Sequence, residues 1–394
     1  MRIDLKTARI LTSPEAQETL QLFRDSNMAS LHIQESFRGL FPKKIAEALG
    51  ELRALRMRAI HKFDQGEEMF FTKELLEQAS SSSVAEWRAG RFKDAGIKRI
   101  NDPCCGIGAD SIAFAKMGLQ VRASDRDEVA LHFAQANAQV LGQSSISFSL
   151  TDMETDPPSA GAIFLDPSRR RGSRRLMNPK DWSPSPSAIS KALKGRGAAG
   201  LKLSPAVDLD NLLDIYPQPY EIETVSLKGE AKETLFWYGK VGEKGVRRAT
   251  LLPSGESWAG NPGATRPVGE LSDWIYDPDP ALTRSGLLAD FANEHGLHLL
   301  DKNIGYLTGK HVKSSFLKSF RVIDCETLDP RKMKAKLRQH KVGRLLVRKR
   351  GIAEQPQTLE KRFLGKRSYG DRTITLLAAR IGDRHVGILA EQDL

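Results

Sequence analysis

Four aspartates lie at the ends of predicted strands of this 394-residue chain, and a turn with two glycines contains the first of them. The turn occupies residues 101–110 and reads Asn-Asp-Pro-Cys-Cys-Gly-Ile-Gly-Ala-Asp. Glycines allow a ligand to approach the backbone, and the N-terminus of a following helix offers unpaired N–H groups and a partial positive charge. Such a turn can bind an anionic or polar small molecule. The aspartates that would surround it are Asp102, Asp125, Asp152 and Asp166.

The positions of these aspartates predict that they converge on one cleft. In an open α/β sheet, ligands bind at the carboxyl ends of the strands, beside the point where the strand order reverses. Asp125 closes the second strand, where a carboxylate can accept hydrogen bonds from both hydroxyls of a ribose. Asp152 could accept from an adenine amino group while Met153 packs on the base. Asp166, followed by Pro167, would face the reactive part of the ligand.

Alternating strands and helices between residues 96 and 242 would position these side chains. Strands separated by helices indicate a parallel sheet covered on both faces. The candidate strands cover residues 97–102, 119–125, 146–150, 162–166 and 198–203, and the candidate helices cover residues 109–117, 129–141 and 187–193. Two further strand-like runs, 221–227 and 234–241, would pair antiparallel at the end of the sheet. The prediction is an α/β fold with a doubly wound, mostly parallel sheet of seven strands.

The chain is expected to have three regions. Residues 1–95 read as a helical N-terminal region, because apolar residues recur there at helical spacing. Residues 96–250 contain the alternating pattern. Residues 253–267 are rich in Gly, Pro and Ser, which predicts a linker. Residues 265–394 would then form a smaller α+β domain.

The turn resembles the first motif of class I S-adenosylmethionine-dependent methyltransferases, which runs acid-x-Gly-x-Gly-x-Gly. This chain has a cysteine in place of the first glycine. The Asp-Pro-x-Cys-Gly-x-Gly version resembles nucleic-acid methyltransferases in particular, and residues 134–142 resemble a helix of RNA-modifying members. The resemblance covers residues 70–242. It implies that S-adenosyl-L-methionine is the cofactor, bound by Asp102, Cys104, Gly106, Gly108, Asp125, Asp152 and Met153.

A nicotinamide dehydrogenase is the main alternative for this turn. Its fingerprint is Gly-x-Gly-x-x-Gly, and the third glycine would fall at Ser111. An acid about 20 residues further on fits both classes and does not discriminate between them. The acids after the third and fourth strands favour the methyl donor. A third possibility is that Gly106 and Gly108 only form a turn.

The loop after the fourth strand departs from a familiar pattern. Methyltransferases that act on base nitrogens usually have Asp/Asn-Pro-Pro-aromatic there, whereas this chain has Asp166 and Pro167 followed by Ser-Arg-Arg-Arg-Gly-Ser-Arg-Arg. Guanidinium groups pair with phosphates bidentately, so the five arginines indicate a polyanionic substrate. The alternative is that one or two of them pair with Asp181 while the others are solvated. The substrate contacts expected in this loop are Arg169, Arg170, Arg171 and Arg174.

The net charge of +11 is unevenly distributed along the chain. Residues 310–380 contain 20 Lys and Arg against 6 Asp and Glu, a local net charge of +14. A basic block beside a slightly acidic remainder indicates a polyanionic partner such as nucleic acid. The alternative is a solvated surface that keeps the protein soluble.

The region after residue 270 is similar to the THUMP-like domain that follows such methyltransferases in some bacterial proteins. The similarity depends on Tyr-Asp-Pro-Asp-Pro-Ala at residues 276–281 and on Val-Arg-Lys-Arg-Gly at residues 347–351. It implies an RNA-binding domain, and we expect Arg348, Lys349 and Arg350 to contact the RNA.

The cysteines and histidines point away from metal or disulfide chemistry. Cys104, Cys105 and Cys325 show no metal-ligand spacing and the eight histidines show none either, so we expect no metal. Two adjacent cysteines make a disulfide framework improbable, which fits a reducing cytosol. A buried thiol is more often part of a core than a nucleophile. No apolar run has the length of a membrane span, and the first residues lack the apolar core of a signal peptide.

The predicted function is transfer of a methyl group from S-adenosylmethionine to a base in tRNA or rRNA in the cytoplasm. We expect direct in-line transfer, with Asp166 and Pro167 orienting the nucleophile. One alternative is a methyltransferase that acts on a protein or small molecule. The other is a non-catalytic RNA-binding protein with a degenerate cofactor domain.

Overall fold

The computed structural model describes residues 3–24, 30–167, 170–171, 174–175, 183–265 and 267–393. The chain divides into two compact units. Unit 1 comprises Met1–Glu221 and Leu235–Gly245, and unit 2 comprises Ile222–Thr234 and Val246–Leu394. The helical N-terminal region and the parallel sheet therefore belong to the same unit.

Six helices precede the first strand of unit 1 in the described part of the chain. They are α1 (Leu5–Leu11), α2 (Pro14–Leu22), α3 (Ser30–Leu40), α4 (Lys43–Ala59), α5 (Lys73–Gln78) and α6 (Ser82–Asp94). Thr72 caps α5, because its side chain accepts a hydrogen bond from the backbone N–H of Leu75 at 3.2 Å. The buried faces of α1 to α5 share one apolar cluster with Ile107 and Phe133. This cluster packs the helical region against the glycine turn.

The parallel sheet of unit 1 follows the predicted order of elements. In chain order the elements are β1 (Arg99–Asp102), α7 (Ala109–Lys116), β2 (Gln120–Asp125), α8 (Glu128–Val140), β3 (Ile146–Leu150), β4 (Ala162–Leu165), β5 (Arg170–Arg171), β6 (Arg174–Arg175), α9 (Pro186–Leu193), β7 (Ala198–Leu203) and α10 (Leu209–Leu213). The strand order β7–β4–β1–β2–β3 is parallel throughout, so the carboxyl ends of these strands meet at one edge. The short strands β5 and β6 form a separate antiparallel pair.

Two longer strands complete the predicted seven. They are β8 (Glu221–Leu227) and β9 (Glu230–Gly239), and residues 235–239 of β9 belong to unit 1. A predicted strand exists at each of the seven places, and the predicted α/β fold with a mostly parallel sheet is confirmed. The predicted number of strands is too low, because the sheet that contains these seven has nine strands within the described residues.

Unit 2 contains its own mixed sheet, which confirms the predicted α+β region. Its elements after residue 245 are β10 (Val246–Leu252), β11 (Glu256–Gly260), β12 (Trp274–Pro278), α11 (Pro280–Arg284), α12 (Leu288–Glu294), β13 (His298–Asp301), β14 (Ile304–Gly309), β15 (Leu317–Thr327), α13 (Pro330–Gln339), β16 (Val342–Arg350), α14 (Pro356–Phe363), β17 (Arg372–Ile381) and β18 (Arg384–Gln392). The sheet order is β13–β14–β12–β15–β18–β17–β16. Helices α13 and α14 pack on it through an apolar cluster that includes Met333, Leu337, Leu359 and Phe363.

The linker interpretation of residues 253–267 is wrong for its central part. Glu256–Gly260 forms β11 and pairs antiparallel with β10. Between the two strands Gly255 adopts a φ of +74°, and its N–H donates to the Leu251 carbonyl at 2.8 Å. Trp258 of β11 packs against Phe291, with ring centroids 4.9 Å apart. The Pro, Ser and Gly residues that suggest a linker form a tight turn between two strands instead.

Within the described ranges, no helix is both long enough and apolar enough to cross a membrane.

Candidate functional site

The glycine turn has a conformation and a packing that both require glycine. Gly106 and Gly108 have φ values of +54° and +83°, in the left-handed region that other residues rarely adopt. A Cβ on Gly108 would lie 3.3 Å from the Ala134 Cβ of α8. Helix α7 begins at Ala109, so its first N–H groups are at the turn.

Asp102 lies beneath this turn as a buried acid. Its side chain accepts a hydrogen bond from the Ser111 hydroxyl at 2.6 Å, and the residue is 1% exposed. Burial and the nearby Asp110 carboxylate raise the pKa of Asp102 to about 8, so the group is a neutral acid at pH 7. Ser111 stands where a dinucleotide fingerprint would have its third glycine, and here it binds Asp102.

Asp125 holds the turn in place. One carboxylate oxygen accepts from the Gly106 N–H and the other from the Asp127 N–H, both at 2.9 Å. Burial raises the pKa of Asp125 despite these hydrogen bonds. The structure therefore brings Asp125 to the glycine turn.

Asp152 lines an open cleft of about 500 Å³ beside the turn. The other lining residues are Arg126, Asp127, Leu150 and Thr151. Leu150 is 60% exposed at the end of β3, and Asp152 Oδ2 lies 3.9 Å from Arg126 Nη1. Met153, in contrast, is buried, with only 2% of its surface exposed. Leu150 is not singled out by the sequence, although its position as an apolar residue at the end of an edge strand is a signal that an exposed cleft could use.

Asn137 of α8 joins the turn to the helical N-terminal region. Its side-chain amide donates to the Phe70 carbonyl at 3.1 Å and to the Ile107 carbonyl at 3.0 Å. Its oxygen accepts from the Phe70 N–H at 2.7 Å. The residue is fully buried, and the rings of Phe70 and Phe133 stack beside it with centroids 6.3 Å apart. The sequence gives no separate signal for this asparagine.

A set of four charged side chains, which we call the charge cluster, surrounds the candidate catalytic aspartate. It consists of Arg88, Asp110, Asp166 and Lys202. Arg88 Nη2 pairs with Asp110 Oδ1 at 2.6 Å, and the Arg88 guanidinium lies 5.0 Å from the centre of the Phe164 ring. Burial raises the pKa of Asp110 even though Arg88 and Lys202 oppose this effect.

The second ion pair of the charge cluster involves the candidate catalytic aspartate. Lys202 Nζ of β7 lies 2.5 Å from Asp166 Oδ2 and 3.2 Å from the Ser80 hydroxyl oxygen. Pro167, the next residue, is buried. The sequence places Lys202 at the end of the fifth strand, but the pairing arises only when β4 and β7 are adjacent.

The predicted arginine contacts in the loop after β4 lie outside what the structure describes. Arg169 is not among the described residues. The backbones of Arg170, Arg171 and Arg174 belong to β5 and β6, but their side chains are not described. Their predicted contact with substrate stays a prediction.

The thiols are poorly suited to nucleophilic chemistry. Burial, together with Asp102 and Asp125, raises the pKa of both the Cys104 and Cys105 thiols well above the usual value. Cys325 lies in unit 2, and burial raises its pKa as well. All three cysteines are free. In the described ranges, His, Cys, Asp and Glu side chains do not gather in groups of three or more that could hold a metal ion.

The two arginines predicted to bind RNA in unit 2 have partners inside the protein. Arg348 Nη1 lies 2.7 Å from Asp277 Oδ2, and Arg350 Nη2 lies 2.8 Å from Asp277 Oδ1. Their guanidinium groups lie over the rings of Phe320 and Tyr306. The segments 276–281 and 347–351 therefore meet in one ion-paired group.

Lys349 is also engaged within unit 2. Its ammonium group donates to the Ile352 carbonyl at 3.0 Å and to the Ala353 carbonyl at 3.1 Å. The expected contact of Arg348, Lys349 and Arg350 with RNA stays a prediction, and the internal contacts show that these side chains also stabilise unit 2.

Two family models match parts of this chain. The model described as "RNA cap guanine-N2 methyltransferase" matches residues 97–174, and the model described as "THUMP domain-like" matches residues 317–392. The first match covers the glycine turn, Asp125, Asp152 and Asp166. The second covers α13, β16 and α14 of unit 2.

The chain is also similar to curated proteins. An uncharacterized S-adenosylmethionine-dependent methyltransferase of Mycobacterium tuberculosis is 30% identical over 313 residues, which cover 79% of this chain and 85% of that protein. The 23S rRNA (uracil(1939)-C(5))-methyltransferase RlmD of Shewanella halifaxensis is 25% identical over 162 residues, 39% of this chain and 36% of that protein.

A solved structure has the same fold over the whole length. A candidate methyltransferase of Porphyromonas gingivalis W83 superposes with a TM-score of 0.76, at 20% sequence identity and with 100% of both chains covered.

Proposed function

Because the chain belongs to the S-adenosylmethionine-dependent methyltransferases, we propose that it transfers a methyl group from this donor to a base in tRNA or rRNA. The observation that carries the proposal is the position of the RNA cap guanine-N2 methyltransferase match. Residues 97–174 include the donor turn, Asp166 and the arginine-rich loop, which are the parts that would meet donor and acceptor. The THUMP domain-like match and the rRNA substrate of RlmD support the same acceptor class.

The residues around the turn fit this donor. Gly106 and Gly108 leave the backbone open to a ligand, and α7 presents its N-terminal N–H groups there. Each carboxylate oxygen can accept two hydrogen bonds, so Asp125 can accept the ribose hydroxyls while it holds the turn. Asp152 and Leu150 would contact the adenine in the adjacent cleft. When bound, the donor supplies an electrophilic methyl group.

The side chains around Asp166 favour direct transfer to a nucleophile that has its own lone pair. Methylation at C5 of uracil would need an activated nucleophile such as a thiolate. Burial raises the pKa of the Cys104, Cys105 and Cys325 thiols. Asp166 has one carboxylate oxygen paired with Lys202, and the other would accept an N–H of the acceptor. An exocyclic amine of a base fits this arrangement. The free cysteines are also consistent with a protein of the reducing cytoplasm.

Unit 2 offers a surface for the phosphates of RNA. We define the basic face as six exposed cations of α13, α14 and the segments that follow these helices: Arg331, Arg338, Lys341, Lys361, Lys366 and Arg367. No salt bridge joins any of them to a carboxylate of the described residues, so their charges are available to a partner. Met333 and Leu337 bury the opposite side of α13. Lysine and arginine side chains on one surface bind a polyanion mainly through its phosphates.

The proposal is tested by labelled methyl transfer in vitro. Purified protein is incubated with the methyl-tritiated donor and total RNA from cells that lack the gene. We expect label in RNA with the wild-type protein and background label with Asp166→Ala. Label in the protein or small-molecule fraction, with none in RNA, would support the alternative acceptor classes and contradict this proposal.

A further inference from the structure

We propose that Lys202 is a positioning residue of the acceptor site, which fixes the Asp166 carboxylate and ties it to Ser80. The inference rests on the proposed function, in which Asp166 contacts the acceptor. It assigns a task to a lysine that is not among the residues predicted to bind the donor.

The burial of Lys202 requires a partner for its charge. Lys202 is the one charged residue of β7, and its side chain is 12% exposed. A buried ammonium group is costly unless it is paired and hydrogen-bonded. Lys202 Nζ meets this requirement with Asp166 Oδ2 at 2.5 Å and the Ser80 hydroxyl oxygen at 3.2 Å.

The other acids near the Asp166–Lys202 pair, Asp110 and Asp102, do not need Lys202 as their neutralising partner. Arg88 already pairs with Asp110 at 2.6 Å, and both side chains are buried. Asp102 is a neutral acid at pH 7, because burial raises its pKa to about 8. The carboxylate that pairs directly with Lys202 is therefore that of Asp166.

The two oxygens of the Asp166 carboxylate have different surroundings. Oδ2 is held by Lys202, whereas Oδ1 has no hydrogen bond to any described residue. The Asp166 side chain is 24% exposed, so a ligand can reach it. A carboxylate anchored through one oxygen keeps its rotamer, which leaves the other oxygen ready to accept an N–H of the acceptor. Groups that orient a reactant must be held closely, since small displacements lower rates strongly.

Ser80 extends this anchor to another part of unit 1. It is 7% exposed and lies between α5 and α6, just before the helix that carries Arg88. Through Ser80, Lys202 connects the carboxyl end of β4 to the start of α6. We expect loss of the Ser80 hydroxyl to have a smaller effect than loss of the Lys202 charge, because the ion pair with Asp166 remains.

The test compares Lys202→Met, Lys202→Arg and Ser80→Ala, with Lys191→Met as the control at an exposed lysine of α9. The readouts are methyl transfer to total RNA from cells lacking the gene and donor affinity by calorimetry. We expect Lys202→Met to lower kcat about 10- to 100-fold with donor affinity unchanged. Lys202→Arg should restore most of the activity, and Ser80→Ala should lose about 2- to 5-fold. Wild-type kcat in Lys202→Met, or no rescue by Lys202→Arg, would overturn the inference.

Crystal structures of the wild type and Lys202→Met separate this inference from the proposed function. If the wild type labels no RNA, the proposed acceptor is wrong, but the structures still decide the role of Lys202. A changed Asp166 rotamer in Lys202→Met supports the positioning role. An unchanged rotamer refutes it.

Discussion

Asp102 is a buried acid whose raised pKa can be tested directly by substitution. Its carboxyl group is buried beside the Asp110 carboxylate, and its hydrogen bond from Ser111 only partly offsets that environment. An unfolded aspartate loses its proton near pH 4, whereas folded Asp102 keeps its proton up to about pH 8. Between these values the folded state binds one more proton than the unfolded state. Stability from this group is therefore lost as pH rises.

Replacing Asp102 with Asn should remove this pH dependence. From pH 6.0 to 7.5, the wild type should lose about 2 kcal/mol of unfolding free energy relative to Asp102→Asn, at a limit of about 1.4 kcal/mol per pH unit. Urea unfolding of both proteins at several pH values measures this difference. If the unfolding free energies of the wild type and Asp102→Asn changed with pH in the same way, Asp102 would be ionised in the folded protein.

Asp125 should control donor binding. Asp125→Ala removes the carboxylate that orders the turn and that would accept the ribose hydroxyls. Hydrogen bonds to a charged group are worth about 1.5–3 kcal/mol each, so affinity should fall about 100-fold or more. Calorimetric titration with the donor measures it, with Asp94→Ala at an exposed position of α6 as the control. Unchanged affinity in Asp125→Ala would mean that the donor binds elsewhere.

At the scale of elements, the glycine turn depends on how closely α7 and α8 pack. Gly108 precedes α7 and Gly118 follows it, with φ values of +83° and +87°. A Cβ at Gly108 would press on Ala134 of α8, whereas a Cβ at Gly118 would meet no atom within 4 Å. Substitutions at Gly108 and Gly118 therefore distinguish the effect of a left-handed backbone from the effect of close packing against α8.

Gly108→Ala and Gly118→Ala should therefore differ in donor binding. Both substitutions strain a left-handed backbone and should destabilise the protein by about 1 kcal/mol. Only Gly108→Ala should also weaken donor binding, at least 10-fold, because its methyl group displaces the turn from α8. Thermal unfolding and donor titration measure the two effects. Equal donor affinities in the two variants would contradict the role of this close packing.

The sequence predicts elements well where local patterns decide them, and poorly where side chains meet across the fold. The strands that end in Asp102 and Asp125 follow from apolar runs that stop at turn residues. β11 was missed because the Ser and Gly residues of a tight hairpin turn look like a linker. Asn137 and Lys202 acquire their partners only when distant segments pack together, so the spacing of residues in the sequence does not predict these contacts.

At the scale of the whole molecule, the excess of positive charge in the sequence does not predict which side chains are free to contact a polyanionic partner. Arg348 and Arg350 look like phosphate ligands in the sequence, but they pair with Asp277. The basic face keeps exposed cations that have no carboxylate partner among the described residues. The number of charged residues in the sequence does not distinguish the arginines that pair with Asp277 from the cations of the basic face. Which arginines form ion pairs depends on the residues that the sheet of unit 2 brings together.

Charge reversal on the basic face should weaken RNA binding and its salt dependence. In the triple variant Arg338→Glu, Lys366→Glu and Arg367→Glu, the slope of log affinity against log salt should fall by about 2 to 3. The matched control reverses three exposed arginines of other unit 2 elements, Arg284→Glu, Arg321→Glu and Arg384→Glu. Filter binding to total RNA across a salt series measures both. Equal losses in the two triple variants would indicate a general charge effect rather than a binding face.

Methylation of RNA by this chain can be measured in cells by nucleoside mass spectrometry. RNA is digested from cells that lack the gene and from the same cells carrying the wild type or Asp166→Ala. We expect one methylated nucleoside that is missing without the gene, restored by the wild type and not restored by Asp166→Ala. Identical methylated nucleosides in all three samples would contradict it.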